Sequence, residues 1–242
     1  MNTLGKEFAS HGYPTLLTTT THIMKPDFLS DESYIENEDL GQLANIFTNL
    51  KKNTLPLAAL GIPEKVVNSN VKWRSPSSDF CEKIAEFSKK FSTKNPYKFL
   101  KILCEGDGSK RLPIKLPKDG EPVFFPKTDT VISVIGLSCL GKPIKETLFR
   151  YELLPNLTSL DNYFIKSLQS ADIVTTDFLY RLCLSEKGLR KNITSQKFCI
   201  IFNQADILDE KALAEVITLR NQLQTKGICS HIISVKNNYI IN

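Results

Sequence analysis

The apolar positions change period repeatedly along the chain, and each change predicts an element. Leu4 and Phe8 share a helical face, and Gly12 with Pro14 stops the helix they imply. TLLTTTT (15–21) then reads as a strand through β-branching. Residues 25–75 keep no sustained period. They hold a polar stretch with Asp31, Glu32, Glu36 and Glu38, a helix expected near 40–50, and the apolar run LPLAAL. A regular helix follows, with Asp79 as its expected N-cap, Glu82 three residues on, and Phe80, Ile84, Phe87 and Phe91 at helical spacing. KFLKILCE predicts a strand, GDGSKRLPIKLP a loop and VISVIG another strand. Two short helices are expected within 159–186. KFCIIFN (197–203) reads as a buried strand. Asp209 caps a helix whose stripe is Ala212, Val216, Leu219 and Leu223, closed by Lys226 and Gly227. CSHIISV is the last expected strand.

Strands alternating with helices predict an α/β fold, with a mostly parallel sheet flanked by helices. The length suits a single domain over 1–242, with a less regular segment at about 25–75. In such sheets ligands bind beyond the carboxyl ends of the strands. Four loops lie there: TTTTHI, EGDGSKRLP, GLSCLGKP and FNQAD.

Composition narrows the ligand. The chain is 41% hydrophobic and 24% charged, with a formal net charge of +5. That excess suits an anionic ligand and is too weak and scattered for DNA or RNA. Six cysteines, at 81, 104, 139, 183, 199 and 229, form no C-x-x-C pair. No zinc-type ligand spacing joins them to the three histidines, and a zinc site is not expected. Cys104 and Cys199 sit in apolar runs and read as small core residues. This usage fits a reducing, cytoplasmic setting, and no apolar stretch approaches a membrane span.

The loop EGDGSKRLP is the densest in chemistry. Glu105 and Asp107 leave an apolar strand together and could hold Mg²⁺ or work as an acid/base pair. Gly106 and Gly108 allow close backbone approach. Ser109, Lys110 and Arg111 supply donors for phosphate oxygens. Thr20 and Thr21 could add hydroxyls. GLSCLGKP fits G-x-x-x-x-G-K, but Pro143 stands where a metal-binding Ser or Thr belongs and brings no N–H. Lys142 remains a candidate cation. FNQAD resembles the N-K-x-D motif that reads guanine, with Gln204 in place of Lys. Asp206 would accept from the base and Asn203 would support the pocket, and Ser234-Val235-Lys236 resembles the S-A-K loop that completes it.

Taken in order, LLTTTTHI, CEGDGSKRLPIKLP, EPVFFPKTDTVISVIGLSCLGKPI, the arginine of TLFRYE and FCIIFNQAD resemble the YqeC family. That family is named for selenium cofactor biosynthesis and is also described as selenium-dependent molybdenum hydroxylase accessory proteins. The resemblance implies a P-loop-NTPase-like fold, Mg²⁺ with GTP or ATP as cofactors, and a molybdopterin-type cofactor or a molybdenum hydroxylase as partner. It implies that GLSCLGKP is a family feature and that Gly106 replaces a small residue such as Ala. It also implies a glycine-rich phosphate loop upstream of the TTTT strand. The first strand and phosphate loop are therefore expected to be missing here, with a gap or unpaired edge in the sheet. Little NTP hydrolysis is expected, because phosphoryl transfer depends on that positioning. A non-catalytic scaffold that delivers a phosphate-bearing cofactor is the alternative.

Overall fold

The computed structural model describes residues 1–49, 55–94, 99–157 and 172–241. They form two compact units, one of Met1–Gly108 with Val123–Lys127 and one of Ser109–Pro122 with Thr128–Asn242.

In the first unit, α1 (Asn2–Ser10) leads into β1 (Thr15–Thr19), β2 (His22–Met24) and β3 (Tyr34–Ile35). Then come α2 (Leu40–Thr48), β4 (Leu57–Leu60), β5 (Ile62–Val67), β6 (Asn70–Arg74), α3 (Ser78–Lys94) and β7 (Lys101–Glu105). Four strands form a parallel sheet in the order β3-β4-β1-β7. Interior β1 is buried along its whole length. Because successive strand residues face opposite ways, Leu16 joins Leu43, Phe47, Phe80, Ile84 and Phe91 on one side. Leu17 joins Ala9, Tyr34, Leu57 and Trp73 on the other.

Three expectations are corrected here. The strand expected over 15–21 ends at Thr19, where the Thr21 N–H turns back onto Thr19 Oγ1 at 2.9 Å. Asp79 lies in the first turn of α3 rather than capping it; Ser77 Oγ accepts from the Phe80 N–H at 3.2 Å. Within 25–75, LPLAAL supplies the interior strand β4, and β5 and β6 join β2, which precedes the segment, in a three-stranded antiparallel sheet. The helix expected near 40–50 is α2, capped by Asp39, which accepts from the Gly41 and Gln42 N–H groups.

The second unit holds β8 (Ile114–Lys115), β9 (Thr130–Gly136), α4 (Ile144–Thr147), β10 (Leu148–Phe149) and α5 (Thr176–Leu184). It continues with β11 (Lys197–Asn203), α6 (Glu210–Thr225), β12 (Cys229–Ser234) and β13 (Tyr239–Ile241). Its main sheet runs β13-β12-β11-β9, parallel except for β13. The last strand is thus β13, which pairs back on β12 beyond the expected CSHIISV. Ile135, Ile200, Phe202 and Ile232 pack with Phe178, Leu179 and Leu182 of α5 and with Val216, Leu219 and Leu223 of α6. Asp209 caps α6 as its sequence implies, accepting from the Ala212 N–H at 2.7 Å. Of the two helices expected within 159–186, one is α5; the segment 158–171 lies outside the described residues.

The fold is mixed α/β, with parallel sheets flanked by helices. Its parallel strands are divided among two four-stranded sheets and the two-stranded pair β10-β8, where the sequence pattern implied one sheet. Among the described residues no helix is long and apolar enough to cross a membrane.

Candidate functional site

The acids of the E-x-D loop belong to the first unit. Glu105 ends β7 directly opposite Thr19 of β1. Its carbonyl oxygen accepts from the Thr20 N–H at 3.1 Å and from Thr19 Oγ1 at 3.0 Å. Thr20 Oγ1 donates to the Val123 carbonyl at 2.5 Å, and Thr21 Oγ1 lies 3.3 Å from Thr19 Oγ1. The Thr20 hydroxyl proton is therefore engaged by main chain, and its oxygen accepts from the Cys104 thiol at 3.9 Å. A Cβ on Gly106 would stand 2.9 Å from the Val123 carbonyl oxygen, so this position needs glycine for close backbone approach. A Cβ on Gly108 would stand 3.3 Å from Glu105 Oε1, which places that carboxylate back over the loop. Both acids are half-buried. Two carboxylates at one strand end are hard oxygen donors of the kind Mg²⁺ takes through its waters.

The basic part of the same loop belongs to the second unit. Ser109–Leu112 is a tight turn: the Leu112 N–H bonds to the Ser109 carbonyl at 3.0 Å, and Ser109 Oγ donates to the Leu112 carbonyl at 2.7 Å. Its central residues, Lys110 and Arg111, both hold left-handed backbone, with φ of 51° and 68°. Such a turn favours Gly or Asn, and each non-glycine residue there costs on the order of 1 kcal/mol. The strain aims two cations outward, and both side chains are exposed. Lys110 Nζ stands 4.9 Å from the centre of the Phe149 ring. Lys115 Nζ and the Arg150 guanidinium share that ring at 5.6 and 4.8 Å.

Glu121 fixes this cluster. Its carboxylate accepts from Arg150 through both oxygens, with Nη2 to Oε1 at 3.0 Å, and Lys115 Nζ lies 2.9 Å from Oε2. Burial opposes ionisation of Glu121, but the hydrogen bonds from Arg150 and Lys115 outweigh it and hold the carboxyl at about 2. Burial lowers Lys115 from the usual lysine value, against the pull of Glu121. Three cations around Phe149 face one carboxylate, so the cluster is positive and suited to an anion. Nothing in the sequence marks Lys115, Glu121 or Phe149 as site residues, and Arg150 is marked only as the arginine of TLFRYE. Their signal is faint because the partners lie far apart in the chain.

The loops after β9, β11 and β12 meet in the same unit. Ser234 Oγ donates to Asp206 Oδ1 at 2.6 Å, and the Val235 N–H donates to Asn203 Oδ1 at 3.2 Å. Gln204, at φ 72°, places Oε1 3.4 Å from the Ser138 N–H. The Gly136 N–H donates to the Pro113 carbonyl at 2.9 Å. A Cβ on Gly136 would stand 2.8 Å from Gln204 Oε1 and 3.1 Å from Pro113, so bare backbone lets three loops converge. FNQAD and SVK are thereby joined. Asp206 is half-buried, and its second carboxylate oxygen has no hydrogen-bond partner among the described residues.

GLSCLGKP does not cradle an anion. The N–H groups of Leu140, Gly141, Lys142 and Ile144 donate to the carbonyls of Leu137, Val174, Cys139 and Asp172. Amides already bonded to main chain cannot converge on a phosphate. Lys142 is exposed, and its ammonium makes no ion pair among the described residues.

Pairing of β11 with β12 sets Cys199 beside Cys229, and His231 follows Cys229 by two residues, so three side chains that could ligate a metal ion lie together. Burial and the contact with the Cys229 thiol push Cys199 up to about 12. Burial likewise raises Cys104 and Cys139 to about 12.

The family model described as YqeC protein matches residues 1–152 of the chain. The match includes the Glu105–Arg111 loop, Lys142, Phe149 and Arg150; Asn203, Asp206 and Ser234 lie beyond it. No curated protein and no solved structure matches the chain.

Proposed function

Since the chain belongs to the YqeC family, we propose that it is a nucleotide-binding accessory protein of selenium cofactor biosynthesis or of the maturation of a selenium-dependent molybdenum hydroxylase. Family membership suggests the selenium-related accessory role. The nucleotide reading rests on one observation, the closure of FNQAD onto SVK through Asp206–Ser234 and Asn203–Val235. It takes the parallel sheets as a variant of the P-loop NTPase arrangement.

Guanine is the favoured base. The open oxygen of Asp206, beside the one that Ser234 holds, can accept from the ring N–H and exocyclic amine of guanine. Adenine turns an acceptor nitrogen to that position, and two acceptors repel. Lys110, Arg111, Lys115 and Arg150 supply the charge for phosphates of the nucleotide or of a molybdopterin-type cofactor. Glu105 and Asp107, in the first unit, are the proposed ligands of Mg²⁺.

A second reading, a non-catalytic scaffold that holds a molybdopterin nucleotide-type cofactor for delivery, is favoured by the GLSCLGKP amides. Their bonds to main-chain carbonyls leave that loop with recognition roles rather than phosphoryl-transfer roles.

Asp206→Asn tests the base pocket. The amide can present a donor where the carboxylate presents an acceptor, which suits xanthine, whose C2 carries oxygen in place of the amine. Wild type is expected to bind GTP at least about 10-fold more tightly than XTP, and the variant to reverse that order. Competition against a fluorescent guanine nucleotide reads both. Equal affinity for GTP and XTP in both proteins would remove Asp206 from base recognition.

A further inference from the structure

Cys199 on β11 and Cys229 on β12 are register partners in a parallel pair. His231, two residues after Cys229, therefore shares its face of the sheet. Cys229 Sγ and His231 Nε2 are 3.5 Å apart, and all three ligand atoms lie within 4.8 Å of one another. A tetrahedral ion with ordinary Zn–S and Zn–N bonds needs S···N near ~3.6 Å and S···S near ~3.8 Å. Cys229 and His231 thus already stand at the spacing of two ligands of one ion, with the Cys199 sulfur within 4.8 Å of both. All six cysteines are free thiols.

We propose that Cys199, Cys229 and His231 form a binding site for a thiophilic d¹⁰ metal ion, Zn²⁺ in the first instance. Two sulfurs and one imidazole select soft or borderline ions over Mg²⁺. Binding turns both thiols into thiolates and releases two protons, while His231 ligates as the neutral ring. Two hydrogen-bonded strands carry all three ligands, so little ordering is required. Cys229 and His231 are exposed and Cys199 is half-buried. Ile132, the β9 partner of Cys199, is 40% exposed on the same face. This leaves the fourth coordination position to water or to an external donor, as in open zinc sites. The site is independent of the nucleotide reading and lies outside the residues the family model matches.

The test is Co²⁺ titration of the full, reduced chain, followed by displacement with Zn²⁺. One equivalent of Co²⁺ should produce a thiolate-to-metal charge-transfer band together with the visible bands of a tetrahedral site. Cys199→Ser or Cys229→Ser should leave about half of the charge-transfer intensity per bound ion, and the double variant none. His231→Ala should retain the thiolate band while weakening Zn²⁺ binding on the order of 100-fold. Circular dichroism confirms the fold of each variant. A wild-type protein that gives no thiolate band at millimolar Co²⁺, or a band that survives the double variant, would overturn the proposal. So would a Cys199–Cys229 disulfide that persists under reductant.

Discussion

Replacing Trp73 by Ala is expected to destabilise the first unit by about 4 kcal/mol. Trp73, in β6, is fully buried, and its ring meets Tyr34 edge-on with 5.9 Å between ring centres. Its indole N–H donates to Glu36 Oε1 at 2.9 Å. Lys25 lies over the Tyr34 ring and pairs with Glu36 at 3.1 Å. Truncation opens a large cavity and removes one of the two donors to the Glu36 carboxylate at the same time. The first unit has no room to close over it, because Gly61 already lies so near the ring that an added Cβ would stand 2.3 Å from it. Trp73 is the sole tryptophan, so its fluorescence follows the first unit alone in the wild type. Urea denaturation followed by circular dichroism should show the transition that Trp73 fluorescence marks in the wild type moving to lower urea in Trp73→Ala. Trp73→Phe should move it less. A shift worth less than about 1 kcal/mol in Trp73→Ala would contradict this packing account.

Glu121→Gln is expected to cost the second unit about 3 kcal/mol at neutral pH. It removes the carboxylate charge with which Arg150 and Lys115, 16% and 10% exposed, both pair. The pH dependence follows from the direction of the shift. The folded carboxyl is held at about 2, below its ordinary 4.5. A depressed carboxyl contributes stability that is fully present above the unfolded value and is lost as pH falls through the folded one. After allowance for solvent screening, that contribution is on the order of 2 kcal/mol. The difference between wild type and Glu121→Gln should therefore stay constant above about pH 5 and narrow steadily toward pH 2. Chemical denaturation across that range measures it. A difference independent of pH would mean that the ion pairs do not carry the stabilisation.

Elements with a clean period were legible in the sequence. Phe80, Ile84 and Phe91 do bury one face of α3, and Val216, Leu219 and Leu223 one face of α6. β7, β9 and β11 follow apolar runs with polar ends. LPLAAL was not assigned because alanine and leucine carry no strand signature, yet β4 lies buried inside its sheet. What pairs at a distance was invisible. Glu121 and Arg150 are 29 residues apart, and Cys199 meets His231 only through strand register. The turn at Lys110 and Arg111 was legible as a loop, but not its left-handed backbone, because no glycine stands there to mark it. FNQAD and SVK were legible as a pair because each ends a parallel strand, and such ends lie side by side.

The most direct measurement is calorimetric titration of the full chain with Mg²⁺–GTP, Mg²⁺–ATP and inorganic pyrophosphate. The account predicts saturable binding of GTP at one site, at least about 10-fold weaker binding of ATP, and weaker binding still of pyrophosphate, which has no base to read. Equal binding of GTP and ATP, or no binding of either, would contradict it.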